Sequence, residues 1–128
     1  MFSTVLRIRS CGSHLLVTLR GELDLVDAAA VAAALTAAAD REPRIVVYLA
    51  SLDFIDVSGV AALARARKHA RRAGGDLLLV APRPQMMRLL STPALAYRFP
   101  VYSSAEEAAS GFRAPLSVAA LTSAPPGT

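Results

Sequence analysis

The sequence predicts an α/β domain: a mixed sheet of four to five strands with an antiparallel N-terminal hairpin and about four helices. Three observations carry this expectation. Short aliphatic runs of strand length alternate with longer alanine-rich runs of helix length. The order strand–helix–strand–helix–strand implies parallel strands joined by right-handed crossovers. The first two strand-like segments, by contrast, flank a tight turn at Cys11-Gly12-Ser13, which leaves room only for an antiparallel pair.

Taken in order, Thr4-Val5-Leu6-Arg7-Ile8-Arg9 alternates and reads as a strand near an edge, and Leu15 to Arg20 is its hairpin partner. Gly21 to Asp24 leaves the sheet. Asp27 stands before an alanine-rich helix as an N-cap or first-turn acid, and Asp40-Arg41-Glu42-Pro43 stops that helix after Ala39. Arg44 to Leu49 is apolar enough for a strand covered on both faces. A turn follows, then a helix from Ser58 to Ala73 that ends at Gly74-Gly75. Asp76 to Val80 is a further buried strand, and Pro82-Arg83-Pro84 opens a short helix through Leu90, broken by Thr92-Pro93. Phe99-Pro100-Val101-Tyr102 suits a last edge strand, where a proline is tolerated. Ser103 or Ser104 caps a last helix, Ala105 to Ser110, with Glu106 and Glu107 in its first turn. The folded domain is expected over residues 1–110. Residues 111–128, rich in proline and without period, are expected to form a disordered tail.

Composition narrows the function classes. A chain of 128 residues forms one domain with a single core. Hydrophobic residues make up 54%, with no tryptophan and only 5% aromatic, so the core is aliphatic. The lone Cys11 excludes an internal disulfide and fits a reducing, cytoplasmic setting. No cysteine–histidine cluster suggests a metal, and nothing suggests a cofactor. The net charge of +4 points to an acidic partner surface without establishing nucleic-acid binding. Ala28 to Ala39, the longest uncharged helical run, is shorter than the ~20 residues that span a bilayer. No direct membrane contact and no signal peptide are expected.

Chemistry concentrates in Asp53-Phe54-Ile55-Asp56-Val57-Ser58-Gly59-Val60, between a strand and a helix. Ser58 falls at or near the helix N-terminus, where free N–H groups favour a negative group, so its hydroxyl is placed to carry a phosphate. Capping is the simpler role for Ser58, but Asp56 competes for it and one cap suffices. Gly59 is poor for a helix interior and makes sense if something approaches the backbone there. In the helix that follows, Gly59, Ala62, Ala66, Ala70 and Ala73 form a stripe of small residues, widened by Leu63. The opposite side carries Arg65, Arg67, Lys68, His69, Arg71 and Arg72, either a solvated face or a surface for an acidic partner.

Gly21-Glu22-Leu23-Asp24 after a strand, followed beyond the next helix and strand by the Asp53–Val60 turn, resembles the STAS domain family of sulfate transporters and anti-sigma factor antagonists. The resemblance runs from Thr4 to Ala109. It implies a STAS-like single domain. In the antagonist branch the serine matching Ser58 is phosphorylated by an anti-sigma factor with serine kinase activity, and a phosphatase resets it. It further implies a partner surface at Asp24, Asp56, Val57, Ser58 and Gly59, with the Gly-Glu-Leu-Asp loop beside the Ser58 turn. Two positions depart from the family pattern. Val57 replaces a common Ser or Thr, leaving Ser58 the only phosphoacceptor in the turn, and Tyr48 stands where an Asp often closes the strand.

Three functions compete. The first is an antagonist that binds an anti-sigma factor when Ser58 is unphosphorylated and so releases a sigma factor. The second is a non-switching STAS subunit of a lipid or anion transport complex, which needs no phosphoacceptor. The third, a nucleotide-binding module, lacks a glycine-rich phosphate loop. A hydrolase is not expected. A nucleophile elbow requires Gly two residues before the serine, where Asp56 stands, and neither His14 nor His69 is placed to act as base. The oligomeric state, a homodimer included, is open.

Overall fold

Alternation at the N-terminus builds a hairpin of β1 (Thr4–Ser10) and β2 (Leu15–Leu23), antiparallel from Thr4↔Gly21 to Ser10↔Leu15. The computed structural model describes residues 4–91 and 99–113. Beyond the hairpin the chain runs through α1 (Leu25–Arg41), β3 (Arg44–Tyr48), β4 (Leu52–Ile55), α2 (Val57–Arg72) and β5 (Asp76–Val80). It then forms α3 (Pro84–Leu90), β6 (Val101–Tyr102) and α4 (Ala105–Arg113). The sheet order is β1-β2-β3-β5-β6, with only the β1–β2 pair antiparallel.

The fold class is the expected one, but the sheet has a sixth strand, β4, inside the stretch expected to be a turn. The reason is the length of β2. It has nine residues against five in β3 and runs past its neighbour. The last β2–β3 pair is Thr18↔Tyr48, and from Gly21↔Leu52 onward β4 takes over as partner. Backbone groups beyond Thr18 would otherwise lack partners, and β4 satisfies them. The register shifts between Gly21 and Glu22, with Gly21 at φ +92°, a conformation that favours glycine. Gly21 to Leu23 therefore stay in the sheet instead of leaving it. The α1 helix begins earlier than Asp27 because Asp24 is its cap. Asp27 becomes a buried first-turn acid that accepts from Thr4 N at 2.9 Å and ties β1 to α1.

Strand alternation splits the core. Val17, Leu19, Ile45, Val47, Leu77 and Leu79 face α1, α2 and Met86 of α3. Val46, Leu78 and Val80 face the other way, against Ala108 of α4, with half-buried Tyr48 beside them. The alanine stripe of α2 meets α1 as well as the sheet: Ala62 packs with Ala28 and Ala32. Gly59, Ala62, Leu63, Ala66 and Ala70 are all buried, whereas Ala73, the exposed C-cap, falls outside the stripe. Ala66 is completely buried, so Ala66→Leu is expected to overpack this contact and cost about 1–3 kcal/mol in a urea titration. An unchanged midpoint would show that the stripe has slack.

On the outer side of α2, Arg67 pairs with Asp76 at 2.9 Å and His69 with Asp40 at 2.7 Å. Arg65, Lys68, Arg71 and Arg72 are exposed. The α4 helix continues past Ser110 to Arg113, with Phe112 packed on the second core cluster. Residues 114–128, most of the expected tail, and Thr92-Pro93 lie outside the described residues. No helix among the described residues is long and apolar enough to cross a membrane.

Candidate functional site

The N-termini of α1 and α2 meet at one end of the sheet. Two aspartates, each following a strand, start the two helices in the same way. Asp24 accepts from Val26 N at 3.0 Å, and Asp56 accepts from Gly59 N at 3.0 Å. Each is in extended backbone, the normal N-cap conformation. The two caps are linked through Leu23, whose carbonyl accepts from Asp56 N at 3.2 Å. The Gly21–Asp24 segment therefore lies beside the Asp56–Gly59 turn.

Because Asp56 is the cap, Ser58 is not. Val57 occupies the first helical position and Ser58 the second, so the helix starts one residue earlier than expected. The Ser58 side chain is half-buried and its hydroxyl makes no hydrogen bond among the described residues. Its hydroxyl therefore stands at the positive end of the α2 dipole, uncommitted to the helix.

Gly59 is explained by contact. A Cβ there would lie 2.6 Å from Ile55 Cγ1, 2.8 Å from Leu23 Cγ and 2.9 Å from Leu23 O. What approaches the Gly59 backbone is the end of β2, and this close fit fixes the start of α2 against the strand that carries Asp24. Gly59 is consequently buried behind the turn, while Val57 projects outward at 55% exposure.

Sequence reasoning missed the apolar surroundings of this end. Leu25 (74% exposed), Val26 (71%) and Phe54 (47%) join Val57 among the exposed large hydrophobic residues. They stand at the start of α1, in β4 and at the start of α2. A signal for Val26 was available: it is out of phase with the buried positions Ala28, Val31, Ala32 and Leu35. Leu25 carried no such signal, because it is in phase and exposed only by lying past the end of the core. Exposed apolar side chains among polar groups at one end of a domain are what protein-binding surfaces present.

The histidines are elsewhere. His14 is buried beside the hairpin turn, with Ser13 Oγ 2.9 Å from its Nδ1, and His69 is engaged by Asp40. Tyr48 packs against the core cluster that includes Ala108 of α4. Among the described residues no group of three or more His, Cys, Asp or Glu is arranged to hold a metal ion.

Comparison with known proteins agrees with this architecture. The chain is 30% identical over 103 residues to BtrV of Bordetella bronchiseptica, a protein named as a candidate anti-sigma factor antagonist, covering 80% of this chain and 89% of that one. The crystal structure of an anti-sigma factor antagonist from Mycobacterium paratuberculosis superposes with a TM-score of 0.76 at 25% identity, covering 88% of this chain and 96% of the other. The Bacillus protein SpoIIAA shares the fold in its phosphorylated form, with a TM-score of 0.62 at 21% identity over 81% of this chain and 96% of that one. The family model described as the STAS domain matches residues 6–108, from β1 into α4, and so takes in both capped helix starts; the chain belongs to the STAS domain family.

Proposed function

We propose that this protein is a cytoplasmic anti-sigma factor antagonist, a binding protein and not an enzyme. Its unphosphorylated form captures an anti-sigma factor with serine kinase activity and so frees a sigma factor. Phosphorylation of Ser58 ends the capture and a phosphatase restores it. The observation that carries this reading is the division of labour between Asp56 and Ser58. Asp56 caps α2, and the half-buried Ser58 hydroxyl, the only phosphoacceptor in the Asp53–Val60 stretch, has no hydrogen bond among the described residues to give up. A phosphate at the second position of a helix meets free N–H groups and the positive end of the dipole, so the modified domain keeps its fold.

Relatives named as anti-sigma factor antagonists support the same reading, as does the apolar rim of Leu25, Val26, Phe54 and Val57. In this reading Asp24, Asp56, Val57 and Ser58 form the centre of the partner surface, buried Gly59 seats the turn behind them, and the rim supplies desolvated contacts. The test is to incubate the protein with an anti-sigma kinase and ATP and locate the phosphate by tandem mass spectrometry. A single phosphate on Ser58 is expected. Modification at other residues with Ser58 untouched would overturn the assignment.

A further inference from the structure

A concave surface lies where β2 passes from β3 to β4. The last pair with β3 is Thr18↔Tyr48 and the first with β4 is Gly21↔Leu52, so the turn between β3 and β4 stands away from β2 at this point. The gap is a cavity of about 550 Å³, lined by Val5, Arg20, Gly21, Ser51, Asp53 and Arg83 among others. Its volume falls within the ~300–1,000 Å³ of small-molecule sites.

The lining is chemically specific. Arg83 is held in place: its Nε donates to Ala50 O at 3.2 Å and its Nη2 lies 3.3 Å from Asp53 Oδ1. The chain reaches Arg83 through Ala81, a non-glycine residue at φ +55°, anchored by its N–H to Tyr102 O at 2.9 Å. Such a conformation is uncommon for alanine and directs the Pro82-Arg83 segment toward the cavity. Arg20 makes no ion pair among the described residues, and the Ser51 hydroxyl makes no hydrogen bond among them. Asp53 is offset by Arg83, which leaves Arg20 as surplus positive charge. The hairpin register puts Val5 opposite Arg20 and Arg7 opposite Thr18, so Arg7 shares the sheet face of Arg20 and adds to the positive field.

We propose that this cavity binds a soluble phosphate monoester that also carries hydroxyl groups. The guanidinium groups of Arg20 and Arg83 take the phosphate, which matches their planar fork. Asp53 and Ser51 accept hydrogen bonds from the ligand hydroxyls, and Gly21, without a side chain, leaves the floor open. The site involves no bond-making step and does not depend on phosphorylation of Ser58.

The experiment is an amide chemical-shift titration of the full chain with glycerol 3-phosphate. Parallel titrations use glycerol, inorganic phosphate and vesicles containing phosphatidic acid. Saturable shifts at Gly21, Ser51 and Arg83 are expected with glycerol 3-phosphate and not with glycerol. Arg20→Gln, at an exposed position whose side chain makes no ion pair among the described residues, is expected to weaken binding about tenfold or more, the effect of losing one charge-assisted contact. Arg65→Gln, on the outer side of α2, serves as a control for general charge and is expected to leave binding unchanged. The proposal is overturned by the absence of saturation, or by equal losses in the two variants. Inorganic phosphate binding as tightly as the ester would remove the hydroxyl-bearing ligand, and binding to vesicles alone would remove the soluble one.

Discussion

Ser58→Ala is expected to bind the cognate anti-sigma factor constitutively, and Ser58→Asp to bind it roughly ten- to a hundredfold more weakly while keeping the same fold. The two variants differ at one half-buried side chain that no described residue bonds, so neither should unfold the domain. An acid at the second position of α2 is favoured by the helix dipole. Affinity should fall because the new charge joins Asp24 and Asp56 at one end of the molecule, inside an apolar rim that binding would dehydrate. A loss of this size corresponds to about 1.4–2.8 kcal/mol. A true phosphate, with ~1.5 to 2 negative charges, should exceed it. Titration of both variants, with circular dichroism to verify the fold, decides the matter. Equal affinities would reduce this end of the molecule to a non-switching contact surface, as in a subunit of a transport complex.

The largest effect on stability is expected far from this end, at Gly75→Ala. An added Cβ would lie 2.1 Å from Pro43 O and 2.3 Å from Pro43 C. Both are backbone atoms, and the same carbonyl accepts from Asp76 N at 3.0 Å to begin the β3–β5 pairing. The proline ring restricts how Pro43 can move aside. Relief must come from separating the first rung, Arg44↔Asp76, in the middle of the sheet. A loss of about 3 kcal/mol or more is expected in a denaturant titration. Gly74→Ala provides the contrast. Gly74 has nothing within 4 Å of an added Cβ but sits at φ +96°, so it should lose only the ~1–2 kcal/mol of left-handed strain. A Gly75→Ala variant no weaker than Gly74→Ala would show that β3 and β5 adjust freely.

Local signals made most of the fold legible. Proline at Pro84, serine at Ser104 and the Gly74-Gly75 pair mark helix ends that the structure places within a residue or two. The Arg44–Tyr48 and Asp76–Val80 runs are buried strands because their aliphatic residues serve both faces. The β4 strand was hidden because Leu52–Ile55 buries its two ends and exposes Asp53 and Phe54, a pattern with neither strand nor helix period. Its existence depends on the length of β2, a property of two segments and not of one. Asp24 was misjudged as a loop acid for a related reason: a cap is recognised by the helix after it, and Leu25 and Val26 do not look like the start of a buried face. The Ser58–Asp56–Gly59 constellation stood out because Asp56 and Ser58 compete for a single capping role and Gly59 is poor for a helix interior. The apolar rim around it combines residues from three elements, and only the folded chain brings those elements to one end.

If Ser58 is the phosphoacceptor proposed above, the passage of β2 from one partner to another sets when it can become a signal. The β2 strand pairs with β1, β3 and β4, and the start of α2 is seated only after Leu23 O has met Asp56 N and Gly59 has closed on Leu23. These are contacts between segments separated by an entire helix, and such non-local pairings form late in folding. A chain still emerging from the ribosome, or one cut within α1, would carry the same serine on an unstructured peptide with no dipole and no rim. On the proposed reading, a kinase that recognises this geometry would modify only folded molecules, and incomplete copies would stay outside the regulatory pool.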